Sequence, residues 1–283
     1  MTTKRIRKIP EANYVAVMDD DLRTIRMKLD PGKPFQSTLY PEHLDVAINS
    51  KCLANCPYCY VRAVKNGVNF DSINEKAIDL WGGMPNELKP FQIAIGGAGE
   101  PTLHPELIPF LKVVRNLDIY PNYTTNGMHL TKDLLLATQE YSGGVAVSFH
   151  PHIEKAFWKA YEEYQKYIRT SIHFIIGEEG SFEQGMKLYE LVNDTVDHFV
   201  WLSYQAVGRA KEIEVHNEWT KLFNSECKKN YAFGALFRDW LLANKPDYPL
   251  HMYTPHQFSG YIMMDDSYKT LRVSSYDLRT KGA

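Results

Sequence analysis

From Leu44 to Ser203 the sequence alternates short apolar runs with longer segments of helical periodicity, and no other feature narrows its fold as far. The runs Leu44–Asn49, Phe91–Ile95, Ile119–Thr124, Gly144–Phe149, Ser171–Ile176 and His198–Ser203 read as strands. Between them, Asn74–Trp81, Pro105–Asn116, Thr131–Gln139, Ile153–Ile168 and Phe182–Asn193 read as helices. Parallel strands need a crossover, and a helix supplies it, so this order predicts a parallel sheet with helices outside. Right-handed crossovers curl such a sheet. Six strand-and-helix units fall short of the eight of a complete barrel. The expected fold is therefore α/β, a partial (β/α)6 TIM-like barrel.

The flanks differ. Tyr14–Met18 and Thr24–Lys28, separated by Asp19, Asp20 and Asp21, predict an N-terminal hairpin. After the barrel, Tyr231–Asn244 reads as a helix, and Gly260–Met264 with Thr270–Ser274 as a hairpin-like pair. The expected organisation is an N-terminal extension over 1–40, a barrel over 41–210, and a C-terminal extension over 211–283 that packs on the barrel.

A chain of 283 residues, 44% hydrophobic and 23% charged, has ample material for a core and reads as a soluble globular protein. Its formal net charge of −2 argues against non-specific binding to nucleic acid or to an acidic membrane surface. The basic start MTTKRIRKIP is not followed by an apolar stretch, so no secretory signal is expected. No run is long and apolar enough for a transmembrane helix. The expected location is cytoplasmic.

Three of the four cysteines fall within Asn49-Ser-Lys-Cys52-Leu-Ala-Asn-Cys56-Pro-Tyr-Cys59-Tyr60, in the loop after the first barrel strand. Ligand sites of parallel α/β folds gather at such strand ends. Random placement of four cysteines gives CxxxCxxC with a probability of about 3 in 10,000, and this crowding points to metal or redox chemistry rather than to disulfides. A structural zinc site in a binding module would need a fourth donor. His104, His129 and Cys227 exist, but none has the usual close spacing. A thioredoxin-like CxxC leaves Cys52 unexplained. Three thiolates on a cubane would leave one iron open, which marks a reactive centre.

This segment resembles the signature of the radical S-adenosylmethionine (SAM) superfamily, CxxxCx-aromatic-C, with Tyr58 at the aromatic position. The resemblance implies a [4Fe–4S] cluster on Cys52, Cys56 and Cys59, SAM as co-substrate, and Tyr58 near the adenine. Above the second strand, Gly97-Ala98-Gly99-Glu100-Pro101 is similar to the family's GGEP motif, which binds the methionine amino group; the inserted Ala98 departs from it. Thr124-Thr125-Asn126-Gly127 resembles the TTNG of several members, so Asn126 is expected to face the cofactor cavity. Ser148 ends the fourth strand, where relatives contact the ribose. Gly177 ends the fifth, and Gln205-Ala-Val-Gly-Arg209 follows the sixth, where backbone meets adenine.

The tail resembles that of the molybdenum-cofactor and SPASM-type branch, but Ser274 and Ser275 stand where auxiliary-cluster cysteines would be. A single cluster is expected, with Cys227 a buried small residue on a helix. His150, His152 and His173 read first as structural histidines. The resemblance implies an oxygen-sensitive enzyme. It would cleave SAM reductively to methionine and a 5′-deoxyadenosyl radical that abstracts hydrogen from a small-molecule, nucleotide or peptide substrate. An electron donor such as flavodoxin or ferredoxin would serve it. The other reading is a non-catalytic iron–sulfur and SAM-binding regulatory protein on the same scaffold.

Overall fold

The computed structural model describes residues 5–36, 38–245, 247, 259–272 and 275. Three strands open the chain, β1 (Arg5–Ile9), β2 (Tyr14–Met18) and β3 (Thr24–Lys28), paired antiparallel in that order. The acidic run between β2 and β3 is a turn because Asp19 closes it: its side chain accepts from Arg23 N at 2.9 Å and its carbonyl from Leu22 N at 3.0 Å. The hairpin was legible in the sequence; β1 was not, since three of its five residues are charged and its two apolar ones, Ile6 and Ile9, lack strand spacing.

The barrel follows as β4 (His43–Ala47), α1 (Ile73–Trp81), β5 (Gln92–Ile95), α2 (Leu107–Asn116), β6 (Tyr120–Thr125), α3 (Lys132–Tyr141), β7 (Val145–Ser148), α4 (Glu154–Tyr164), β8 (Thr170–Ile176), α5 (Ser181–Val192), β9 (His198–Ser203), α6 (His216–Asn224), β10 (Tyr231–Phe233), α7 (Phe237–Asn244) and β11 (Ser259–Met263). β4 to β11 form one parallel eight-stranded sheet in the order β10-β9-β8-β7-β6-β5-β4-β11. It curls into a half-barrel with helices around it. None of the described helices is long and apolar enough to cross a membrane.

Strand alternation sorts the side chains. Leu44, Val46, Ile93, Ile95, Phe174 and Trp201 are buried under the helices, while Asp45, Ala94, Asn122, Thr124, Ser148 and His173 alternate with this set or with its register partners and line the lumen. The outer layer is aromatic-rich: Phe199, Trp201 and Tyr231 pack with ring centroids 5.1–6.4 Å apart.

Two expectations for the tail change. Residues 231–233 are a strand, not the start of a helix: Tyr231 and Phe233 alternate into the same aromatic layer, and this tertiary packing overrides the helical spacing. The run at 260–264 pairs with β4 and widens the sheet instead of standing apart from it. Its expected return strand survives as a bridge between Tyr261 and Arg272, and 273–274 lie outside the described residues. α6 was not foreseen.

The N-terminal sheet closes the bottom of the barrel. Arg7, buried to 1% exposure, donates to the carbonyls of Tyr40, Pro41, Glu87 and Leu88. Arg26 pairs with buried Glu42 just before β4 at 2.8 Å.

Candidate active site

The cysteine loop leaves β4 and is held as a flap. Ser50 N donates to Val68 O, Cys52 N to Val64 O and Phe70 N to Ile48 O, all at 2.9–3.0 Å. Within it, Cys59 N donates to Cys56 O at 3.2 Å. The loop after β9 then clamps it from above: Arg209 donates from Nε to Cys56 O at 3.1 Å, from Nη1 to Ala63 O at 2.9 Å, and from its backbone N to Cys59 O at 3.0 Å. Gly208 makes this approach feasible. Its φ is +68°, and a Cβ there would lie 2.3 Å from Tyr60 O.

The three sulfurs sense one another. Burial, then the charges of Cys52 and Cys59, push Cys56 up to about 12. Burial likewise raises Cys52, with Glu100 and Cys59 adding to it, while Asn126 Nδ2 donates to its Sγ at 3.5 Å. Among the described residues, no three His, Cys, Asp or Glu side chains are arranged to close on a single metal ion. Cys227 is exposed, in the loop after α6, and not buried on a helix; the polar Lys228–Asn230 segment behind it offers no apolar surface to bury it.

The glycine motif above β5 packs directly on this loop. Glu100 N donates to Lys51 O at 2.7 Å and Asn49 Nδ2 to Glu100 O at 2.8 Å; a Cβ on Gly99 would fall 2.4 Å from Asn49 Oδ1. Only glycine admits that approach. Glu100 is 4% exposed and turned inward. One carboxylate oxygen accepts from Thr102 N at 3.2 Å and Thr102 Oγ1 at 2.7 Å, the other from Asn126 N at 2.7 Å. Burial raises its pKa against these hydrogen bonds. Pro101 begins the 3-10 turn Pro101–Leu103 that Glu100 caps. Gly97 has φ +82°, and its carbonyl accepts from Tyr60 Oη at 3.2 Å.

Around the mouth, Tyr58 Oη lies 3.0 Å from His150 Nδ1. Burial pulls His150 down to about 4, with His152 adding to it, so the imidazole is neutral near pH 7. His152 Nε2 lies 2.9 Å from Ala54 O, joining β7's exit to the cysteine loop. Tyr58, Phe149, Phe174, Glu178 and Tyr204 line a cavity of about 30 Å³. Ser148 ends β7 in register with His173 of β8. Gln205 donates to Ser203 Oγ at 2.8 Å. Asn126 therefore joins the cysteines and Glu100, Tyr58 joins the β7 and β8 ends, and Ser148 and Gln205 stand on the far wall. Asn49, Tyr60 and the Arg209 side chain were missed as positioning residues. Only Arg209 left a signal, an arginine in a strand-end loop that had been read for its backbone.

The site thus sits on a half-barrel of parallel strands, with the CxxxCxYC loop after its first strand and the glycine–acid motif after its second. Among solved structures the chain is similar to SuiB of Streptococcus suis. It matches SuiB bound to the precursor peptide SuiA with a TM-score of 0.66 at 16% identity, over 87% of this chain and 62% of that one. It matches SuiB bound to S-adenosylmethionine with 0.64 at 16% identity, over 86% and 62%. A further SuiB structure aligns over 100% of this chain and 83% of its own, with 0.66 at 14% identity. At these identities the likeness is one of fold. A curated relative, the 7,8-dihydro-6-hydroxymethylpterin dimethyltransferase of Methanocaldococcus jannaschii, is 26% identical over 110 residues, 36% of this chain and 22% of that protein. The chain thus spans about a fifth of that relative's length and less than two thirds of the SuiB chains in the two complexes. No protein-family model matches the chain.

Proposed function

We propose that this chain is a radical SAM enzyme that holds one [4Fe–4S] cluster on Cys52, Cys56 and Cys59, with SAM beside it and the substrate in the lumen. The observation that carries the reading is the grouping of three mutually interacting thiols on one loop at the open barrel mouth. Such a group is electrostatically ready for iron: burial and the neighbouring sulfurs oppose bare thiolates at Cys52 and Cys56, and a cationic partner relieves both. A lone zinc draws all its donors to about 2.3 Å or less of one point, whereas a cubane spreads cysteines over separate irons. Three crowded cysteines whose candidate fourth donors, His104, His129 and Cys227, lack the usual close spacing fit the second pattern.

When bound, the cluster and SAM would supply the reactive chemistry, reductive cleavage to methionine and a 5′-deoxyadenosyl radical that takes hydrogen from the substrate. The chain's residues bind and position. Asn126 supports the Cys52 sulfur, and Arg209 with Gly208 fixes the loop carrying Cys56 and Cys59. Gly97, Gly99, Glu100 and Pro101 shape the floor assigned to the methionine end. Glu100 acts there through Thr102 and Asn126, because both its oxygens are already engaged. Tyr58, Ser148 and Gln205 are assigned to the nucleoside. We assign reduction to a small cytoplasmic donor such as flavodoxin or ferredoxin. Since SuiB has been solved with a precursor peptide, a peptide is one substrate class to test.

Anaerobic reconstitution followed by dithionite and SAM tests the reading. The expected product is 5′-deoxyadenosine, absent from Cys59→Ala. Reconstitution that yields no iron–sulfur chromophore sinks it, and a full cluster that never cleaves SAM favours the regulatory alternative.

A further inference from the structure

We propose that Asp45 and Tyr261, side by side on the β4–β11 wall, form a recognition site for a protonated amine on the substrate. The inference rests on the lumen being the substrate chamber of the function proposed above.

The strands' interior positions are unusually one-sided in charge. Alternation turns His43 and Asp45 of β4, Gln92 and Ala94 of β5, Asn122 and Thr124 of β6, and the matching positions of the other strands inward, and Asp45 is the one carboxylate among them. No Lys or Arg occupies an interior position on any of the eight strands. Burial holds His43 and His173 neutral near pH 7, at about 3 and about 4. Glu178 belongs to the mouth, beside Tyr58.

Asp45 has no hydrogen bond or ion pair among the described residues, although solvent reaches it and Ala94 next to it in register. Protein surrounds it closely enough that burial alone pushes its carboxyl up to about 6. Tyr261 is its register partner on β11, so both side chains leave the sheet on the same side. Tyr261 is 0% exposed, and its hydroxyl lacks a hydrogen-bond partner among the described residues. Its ring reaches up to the cofactor motif, within 3.1 Å of where a Cβ on Gly97 would be. Arg272, bridged to Tyr261 at the sheet edge, donates from Nη2 to Ser267 Oγ at 2.9 Å and makes no ion pair with Asp45 among the described residues, although its charge reaches Tyr261.

A buried hydroxyl without a partner costs about 1–3 kcal/mol, and the carboxylate beside it has no cation paired with it among the described residues. An ammonium group resolves both: one N–H donates to the Asp45 carboxylate and a second to Tyr261 Oη. A carboxylate or phosphate on the substrate would be repelled. The site lies two residues below the Gly96–Gly97 turn on the neighbouring strand, so it would hold the substrate beneath the cofactor motif.

The test uses the full chain, with n-pentylammonium and its neutral counterpart pentan-1-ol as probes in ligand-observed NMR titrations. The parent should bind the ammonium at least about tenfold tighter than the alcohol, a difference of about 1.4 kcal/mol. Asp45→Asn should erase that preference, Asp45→Glu should restore part of it, and Tyr261→Phe should weaken it. Glu162→Gln, on the outer face of α4, should leave it unchanged. Melting curves establish that each variant is folded. Equal binding of the two probes, binding of neither, or an unchanged preference in folded Asp45→Asn overturns the proposal. The radical SAM reading fails separately: a parent that prefers the ammonium but forms no 5′-deoxyadenosine upholds the amine site while removing the assigned chemistry.

Discussion

Glu100 Oε2 accepts a hydrogen bond from Asn126 N at 2.7 Å and so ties the end of β5 to the end of β6, while the Asn126 side chain reaches Cys52 Sγ at 3.5 Å. A motif acid is thereby coupled to a cysteine through one intervening residue. Its other oxygen is saturated by Thr102. The carboxylate is thus a fastener between two strand ends and the cysteine loop.

Glu100→Gln is the sharpest probe of that coupling. An amide has one acceptor oxygen, so its NH2 must face either Asn126 N or Thr102 N, both donors. The expected loss is about 1–3 kcal/mol, that of one buried donor left unsatisfied. Thermal unfolding should register it as a drop of several degrees, and iron bound per chain after reconstitution should fall with it. An unchanged melting temperature with full iron content would show that Glu100 is not a fastener.

Arg209 makes a second prediction. Its fork spans Cys56 O and Ala63 O, a geometry that lysine's single ammonium cannot copy. Arg209→Lys should lower cluster occupancy and shorten the cluster's lifetime in air, with a stability loss of about 1–2 kcal/mol. Iron and sulfide analysis beside a time course of chromophore bleaching measures both. Bleaching at the parent's rate would remove Arg209 from the cluster's support.

What could be read in advance follows from the range of each signal. Cys52, Cys56 and Cys59 lie within eight residues, and Gly97–Pro101 within five, so local spacing carried both motifs. The barrel strands were legible because their apolar runs stand between helical periods. Glu100's inward turn was not legible, since Asn126, its partner, is 26 residues away and meets it only through strand order. Tyr231–Phe233 was misread for the same reason: Phe199 and Trp201, which draw it into the sheet, lie about 30 residues earlier. Asp45 was in plain view as a lone acid within an apolar run. Its meaning depends on the lumen around it, which a sequence does not display.

The N-terminal sheet offers a test of how the barrel's bottom is sealed. Arg7 satisfies four backbone carbonyls and lies 5.6 Å from the Phe91 ring centroid. Burial lowers its pKa, but the carbonyls keep the charge solvated by protein. Arg7→Met keeps the volume and strips those partners, and should cost about 3 kcal/mol. At this chain length that is roughly 6–12 °C in Tm. A shift under a degree would mean that the N-terminal sheet docks by its apolar face alone.

Asp45 gives the clearest pH signature. Its ordinary value of 3.8 rises to about 6 in the fold, because burial disfavours the charged form. The sign follows directly: below about pH 3 the group is protonated both folded and unfolded and adds no penalty. As pH rises through about 6, the folded chain must carry a charge that the unfolded chain gives to water, and stability is lost. Asp45→Asn removes that charge and should match the parent near pH 3 while melting higher at about pH 7.5. Solvent reaches this carboxylate, so the gain is about 1 kcal/mol, well under what the full shift would imply. In Tm that is roughly 2–4 °C. An ammonium occupant should cancel the advantage, since pairing lets the parent hold its charge without loss. A pH-independent difference between the two proteins would show that Asp45 carries no burial penalty.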